Sequence, residues 1–236
     1  YLKRRFLLSA TDAPAIPRFV SEGDFLKLNF LEDEEQIPER IKVYTVKSPE
    51  KDKLEVLSKL LCYLGDKSSL VFVNYRESVE RVYRYLLQAG ISCEMFHGGM
   101  EQKDRERALY KFSNGSCNVF VSTDLAARGL DIPNIDHVIH YHLPLNEDAY
   151  IHRNGRTARW DASGNVFLIL GPEEYLPEFI QQIPEDYVWE GPKPDPAKPQ
   201  WVTLYIGKGK KDKINKVDIV GFLSKVGGLG KSDIGR

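Results

Sequence analysis

Three arginines and a histidine fall within the run Tyr150-Ile151-His152-Arg153-Asn154-Gly155-Arg156-Thr157-Ala158-Arg159. Such a set can close around a polyphosphate, because arginine stays charged and offers a rigid fork of donors. Arg156 and Arg159 are three apart and share a face if a helix begins here. That suits a phosphoryl group accumulating negative charge during transfer. A solvated basic helix face has the same composition, so the surrounding sequence must decide.

Upstream stands Ser122-Thr123-Asp124-Leu125-Ala126-Ala127-Arg128-Gly129-Leu130-Asp131. Thr123 follows an apolar run and can offer a hydroxyl and a backbone N–H to a phosphate. Gly129 allows close backbone approach, and Asp131 can accept from ribose hydroxyls. A phosphate cradle of the form G-x-x-x-x-G-K-[ST] is not found. Its nearest candidate is Gly230-Lys231-Ser232, where Lys225 occupies the place of the first glycine. No carboxylate pair follows a strand in the way that magnesium binding needs, since Glu32 to Glu35 sit in an acidic, Pro-containing stretch. The chain alone is therefore expected not to hydrolyse a nucleotide.

The elements that would position these residues follow from periodicity. Arg4 to Ala10 and Phe25 to Phe30 read as strands, and 32–40 as a solvated linker. From Ile41 the pattern becomes regular. Ile41 to Val46 alternates as a strand, Ser48-Pro49 reads as a helix start, and Leu54, Leu57, Leu60, Leu61 and Leu64 follow at helical spacing. A strand at Leu70 to Val73, a helix through Val79, Val82, Tyr83 and Leu86 stopped by Gly90, and a strand from Ile91 to Phe96 come next. The alternation continues with a helix from Gln102 to Phe112, strands at Asn118–Ser122 and His137–Tyr141, a helix around the arginines and a strand at Val166–Leu170. Strands separated by helices predict a mostly parallel sheet with helices on both faces, an α/β fold with ligands beyond the carboxyl ends of its strands. A helix is predicted from Glu173 to Ile183, then a stiff Pro-rich linker over 184–200 and a further strand over Trp201–Ile206.

Net charge is −1, so a nucleic-acid surface must come from local clustering. Residues 201–236 supply one, with eight lysines or arginines against three aspartates and Lys208, Lys210, Lys211 and Lys213 close together. The three cysteines form no C-x-x-C pair, which argues against a zinc knuckle or disulfide framework and fits a reducing, cytoplasmic setting. No metal site is expected, although His140 and His142 share one side of a strand. No apolar run reaches a membrane span, and the opening Tyr1-Leu2-Lys3 suggests a start within a longer protein.

Together these blocks resemble the DEAD-box RNA helicases, within the helicases built from two RecA-like domains. Ser9-Ala10-Thr11 resembles motif III, Val71-Phe72-Val73-Asn74 motif IV, Gln102-Lys103-Asp104-Arg105 the Q-x-x-R block, and the two polar blocks above motifs V and VI. The tail, from Gly207-Lys208-Gly209-Lys210-Lys211 to Asp233-Ile234-Gly235-Arg236, resembles the opening of a DbpA-type, RRM-like RNA-binding domain. The resemblance implies a remnant of the first RecA-like domain over 1–31, the second RecA-like domain over 41–183 and a partial RNA-binding domain over 201–236.

It also implies roles. Arg156 and Arg159 would be arginine fingers on the γ-phosphate of ATP, with His152 linking that site to motif III, where Ser9 and Thr11 lie between the domains. Gly129 and Asp131 would meet the ATP ribose. Asn74, Gly99, Gln102, Arg105, Thr123 and Asp124 would bind or support the RNA backbone, joined by Lys208, Lys210, Lys211 and Lys213. Arg128 and Arg153 would make structural or interdomain ion pairs. Mg2+ would be held by the first RecA-like domain, and the parent would be a monomer acting on structured ribosomal RNA. Asn154, where the family usually has an apolar residue, and Trp160, in place of a small one, depart from the pattern. A non-catalytic RNA-binding module and a DNA-acting member of the wider superfamily are the alternatives.

Overall fold

In the computed structural model, residues 41–127, 135–157 and 163–235 are described. Ser9, Thr11, Arg128, Gly129, Asp131, Arg159 and Trp160, together with the segments 1–31 and 32–40, lie outside them.

Seven strands form one sheet: β1 Ile41–Lys47, β2 Ser69–Phe72, β3 Cys93–Phe96, β4 Val119–Ser122, β5 His137–His140, β6 Gly164–Leu170 and β7 Glu185–Asp186. Their order is β3-β4-β2-β5-β6-β1-β7, and every pairing is parallel. The crossovers carry helices α1 Leu54–Leu64, α2 Arg76–Gln88, α3 Gln102–Ser113, α4 Asp124–Ala127 and α5 Glu147–Asn154.

Strands buried on both faces read as continuous apolar runs, and β2 and β4 are buried at all four positions. Alternation sorts their side chains between two layers. Val119 and Val121 join the core beneath α1 and α2, with Val71, Ile139, Phe167 and Ile169. Phe120 points the other way, where its ring meets Phe112 of α3 at 5.0 Å and Phe96 at 5.5 Å. Helices thus cover both faces, as the alternation of elements predicts.

Several local expectations are corrected. Ser48 does not cap α1, because its N–H donates to the Leu170 carbonyl at 2.7 Å and its hydroxyl to the Glu50 carbonyl. The helix begins at Leu54 instead, after Lys53. No helix forms over 173–183. Pro177 lacks an N–H in the middle of that stretch, and the Glu174 carboxylate accepts from Lys53 Nζ at 2.6 Å and from the Gly171 N–H at 2.8 Å.

The Pro-rich stretch supplies β7, where Thr45 Oγ1 donates to Asp186 and Tyr187 N–H to the Thr45 carbonyl. Trp201–Ile206 forms no strand. This segment meets α3 through its side chains, with the Arg107 guanidinium over the Tyr205 ring at 4.8 Å. Beyond it a helix not foreseen from periodicity, α6 Lys216–Lys225, starts at a capping box in which Asn215 Oδ1 accepts from Val217 and Asp218 N–H.

Candidate functional site

The strand ends of β2, β4 and β5 place Asn74, Asp124, His140 and His142 around one side chain, Arg153 of α5. Arg153 is 1% exposed. Its Nε donates to Asp124 Oδ1 at 2.6 Å, and Nη2 donates to Asp124 Oδ2 at 2.7 Å and to Asn74 Oδ1 at 2.8 Å. Nη1 donates to the His142 carbonyl at 2.7 Å and faces His140 Nδ1 at 3.3 Å. Guanidinium has five donors, and all five meet acceptors. A buried cation is tolerated only when it is paired and fully hydrogen-bonded, which the bidentate Asp124 contact and the three further acceptors achieve.

The histidines are fixed as neutral tautomers by the same contacts. His140 Nδ1 accepts from Arg153, so Nε2 carries the proton toward Asn154 Oδ1 at 2.9 Å. Complete burial, reinforced by the adjacent Arg153 charge, pulls the His140 pKa down to about 3. His142 Nδ1 accepts from the Asn74 N–H at 3.1 Å. Burial and then the nearby Lys53 charge lower its pKa to about 4. Asn154 is thus the partner that a polar His140 in the sheet requires. The departure from an apolar residue is explained by that pair.

The helix around the arginine stretch ends there, where the sequence suggested a beginning. Asn146 caps α5 by accepting from the Ala149 N–H at 2.8 Å, and Gly155 follows its last residue. His152 and Arg153 therefore occupy the last turn, where the Arg153 charge opposes the helix dipole favourably. Arg156 lies in the turn beyond, so it is not on a helical face. Thr157 returns the chain to the sheet by donating to the Ile135 carbonyl. This close approach needs glycine at 164, because a Cβ there would overlap the Thr157 side chain. His152 and Arg156 border one shallow cleft of about 10 Å³ with Asp124 and Arg153, roughly the volume of one water.

The remaining candidates sit nearby or apart. Gly99 belongs to the turn after β3, and its N–H donates to His97 Nδ1 at 3.2 Å. Gln102 and Arg105 open α3, with Arg105 Nη1 donating to Gln102 Oε1 at 3.4 Å and its guanidinium over the Phe96 ring at 4.8 Å. Thr123 is buried at the end of β4, and its carbonyl accepts from the Ala127 N–H. Asn74 donates its amide to the Leu143 carbonyl at 3.3 Å, so both ends of the amide are engaged within the domain.

Lys208, Lys210, Lys211 and Lys213 are exposed, with Lys208 donating to Asp212 at 3.2 Å. Arg76, in the candidate strand-end segment Asn74-Tyr75-Arg76, received no specific role from the sequence. Its guanidinium lies so close to the Gly98-Gly99 turn that a Cβ at Gly98 would stand 3.3 Å from it. Its position at a strand end, in Asn74-Tyr75-Arg76, was the available signal. Burial raises the Cys93 thiol pKa and pushes that of Cys117 up to about 12, so neither is poised as a nucleophile.

Comparison with known proteins finds family matches in two regions. Residues 52–161 match the helicase conserved C-terminal domain, and residues 203–236 match the DbpA RNA binding domain. The chain is 32% identical over 214 residues to the ATP-dependent RNA helicase DbpA of Bacillus subtilis (strain 168), covering 79% of this chain and 45% of that protein. The Escherichia coli (strain K12) DbpA is 35% identical over 192 residues, covering 79% and 42%. The chain thus spans less than half the length of these curated relatives. A crystal structure of the E. coli DEAD-box protein SrmB, bound to regulator of ribonuclease activity A, superposes with a TM-score of 0.57 at 32% identity. That match covers 68% of this chain and 98% of SrmB's chain in that structure. With a RecA-like parallel sheet carrying these motifs at its strand ends, the chain belongs to the DEAD-box RNA helicases, as their conserved C-terminal domain joined to DbpA-type RNA-binding sequence.

Proposed function

We propose that this chain is one half of a bipartite ATP site in an ATP-dependent RNA helicase that opens short duplexes locally. The observation that carries the reading is the cleft where Arg156 and His152 flank the Arg153–Asp124 pair. Arg156 borders this cleft beside Arg153, whose donors are committed within the domain, a position from which it can meet charge presented from outside. ATP supplies the scissile phosphoanhydride. Arg156 and Arg159 meet the charge that develops on the transferred phosphoryl group, and His152 links them to Ser9-Ala10-Thr11. Gly129 and Asp131 hold the ribose.

Among the described residues no three His, Cys, Asp or Glu side chains converge on a metal position. The carboxylates for Mg2+ and the phosphate cradle belong to the first RecA-like domain. Asn74, Gly99, Gln102, Arg105, Thr123 and Asp124 hold or support the RNA backbone, which makes this surface indifferent to sequence. The tail lysines direct the enzyme to structured RNA, of which ribosomal RNA is the class, and the protein works as a cytoplasmic monomer.

The test uses the chain extended by a P-loop-bearing RecA-like domain. Arg159→Ala is expected to lower RNA-stimulated ATP hydrolysis by about 10³-fold or more, the contribution typical of an arginine finger, while RNA binding is retained. Unchanged turnover would reject the assignment.

A further inference from the structure

Between the buried Arg153 and the cleft-lining Arg156 stands Asn154, which is 2% exposed. Its Oδ1 lies 2.9 Å from His140 Nε2 on β5. Its carbonyl accepts from the Thr157 N–H at 3.0 Å, as the Arg153 carbonyl accepts from the Arg156 N–H at 3.1 Å. The turn carrying Arg156 is therefore hydrogen-bonded to the backbone of two residues whose side chains are anchored against strand ends. Thr157 closes the turn from its other side through the Ile135 carbonyl.

Arg153 decides which way the Asn154 amide faces. A neutral imidazole has one donor nitrogen and one acceptor nitrogen. With Oδ1 toward His140, the ring proton sits on Nε2 and Nδ1 is left as an acceptor for Arg153 Nη1 at 3.3 Å. With the amide reversed, Nδ2 would donate to Nε2 and the ring proton would move to Nδ1. Two donors would then face each other beside a buried cation. Asn154 thus holds His140 in the one neutral tautomer that Arg153 can use.

The other end of the amide supports this assignment. Nδ2 is buried and has no hydrogen-bond partner among the described residues, and the same holds for the Tyr150 hydroxyl one turn earlier on α5. Buried polar atoms without partners are uncommon and costly. An apolar side chain at 154 would avoid that cost, so what the amide contributes is the contact of Oδ1 with His140.

We propose that Asn154 is a positioning residue for phosphoryl transfer, holding the His140 acceptor against Arg153 and thereby fixing the turn that presents Arg156 to the transferred group. The proposal rests on the reading of Arg156 as an arginine finger.

Steady-state ATP hydrolysis by the chain extended with a P-loop-bearing RecA-like domain, at saturating RNA, tests it. Asn154→Leu keeps the branching of the side chain and removes the acceptor. It is expected to lower kcat by about tenfold or more, since a shift of about 1 Å in an oriented group can cost about 10²-fold. KM for ATP should stay within about twofold, as for an interaction that matters in the transition state. His140→Leu should also lower kcat, and the double variant should lose no more than His140→Leu alone, because contacting residues that act as one unit are not additive. Unchanged kcat in Asn154→Leu, a rise in KM alone, or additive losses in the double variant overturns the proposal. Arg156→Ala separates this role from the reading beneath it. If Arg156→Ala keeps full turnover, both fall; if it loses turnover and Asn154→Leu does not, only the positioning role falls. Imidazole 15N NMR on the unsubstituted 236-residue chain gives a second readout. His140 is expected as the Nε2–H tautomer, and the Nδ1–H tautomer overturns the proposal.

Discussion

Arg153 and the tail lysines are cations in segments that both match nucleic-acid enzymes, yet the fold treats them oppositely. Arg153 is 1% exposed with every donor committed inside the domain. Lys210, Lys211 and Lys213 are exposed, on a tail in which no residue from 201 to 235 is buried. A positive charge surrounded by fixed acceptors becomes a structural joint, here tying three motif-bearing strand ends to α5. A positive charge in solvent contributes through whatever polyanion it meets. Sequence composition alone does not separate the two, because both are basic residues in polar segments.

Substitution of the joint should give the largest effect. Arg153→Met leaves Asp124 without its partner and is expected to cost about 3–5 kcal/mol in a urea titration, the usual penalty for breaking a buried ion pair. A loss below about 1 kcal/mol, typical of an exposed pair, would erase the contrast with the tail.

Acid should expose the same region next. The folded pKa values of His140 and His142 are depressed to about 3 and about 4, against an ordinary 6.5. Below pH 6.5 the unfolded chain takes up protons that the folded chain refuses, so stability falls as pH drops from 6.5 toward 3. His140→Asn removes one such group, and its thermal midpoint is expected to fall less between pH 7 and pH 4.5 than that of the parent. Identical pH dependence would remove His140 from the network's acid sensitivity.

In the tail the effects should be smaller. Asn215→Ala removes the cap of α6 and is expected to cost about 1 kcal/mol of local helix stability, read as faster amide exchange over 216–225 with the sheet unchanged. Replacing Lys208, Lys210, Lys211 and Lys213 by glutamine should shift folding stability by no more than about 0.5 kcal/mol per residue. It should also flatten the salt dependence of RNA binding, by up to about 0.7 in log–log slope per lysine that meets a phosphate. An unaltered slope would place these lysines with Arg153, as parts of the protein's own architecture.

The parallel sheet was legible because apolar runs such as Leu70-Val71-Phe72-Val73 alternate with helical spacing, and that signal depends on local sequence. The failures came where tertiary contacts won. Ser48 has the composition of a cap but bonds to Leu170, and Glu173–Ile183 has helical patterning but carries Pro177 and a glutamate drawn off by Lys53. Trp201–Ile206 alternates like a strand yet forms none, its contacts running through side chains such as Thr203 with Ser116 and Tyr205 with Arg107.

In the site, the motif residues could be read in order. The pairing of His140 with Asn154 could not, since the two come together only when β5 and α5 pack. The cap of α6 was present as Asn215-x-x-Asp218 and could have announced the helix.

The most direct measurement compares RNA-stimulated ATP hydrolysis by residues 1–236 alone with that of the same chain joined to a P-loop-bearing RecA-like domain. Turnover is expected from the joined protein and none above background from residues 1–236. Robust turnover by residues 1–236 alone would contradict a site divided between two domains.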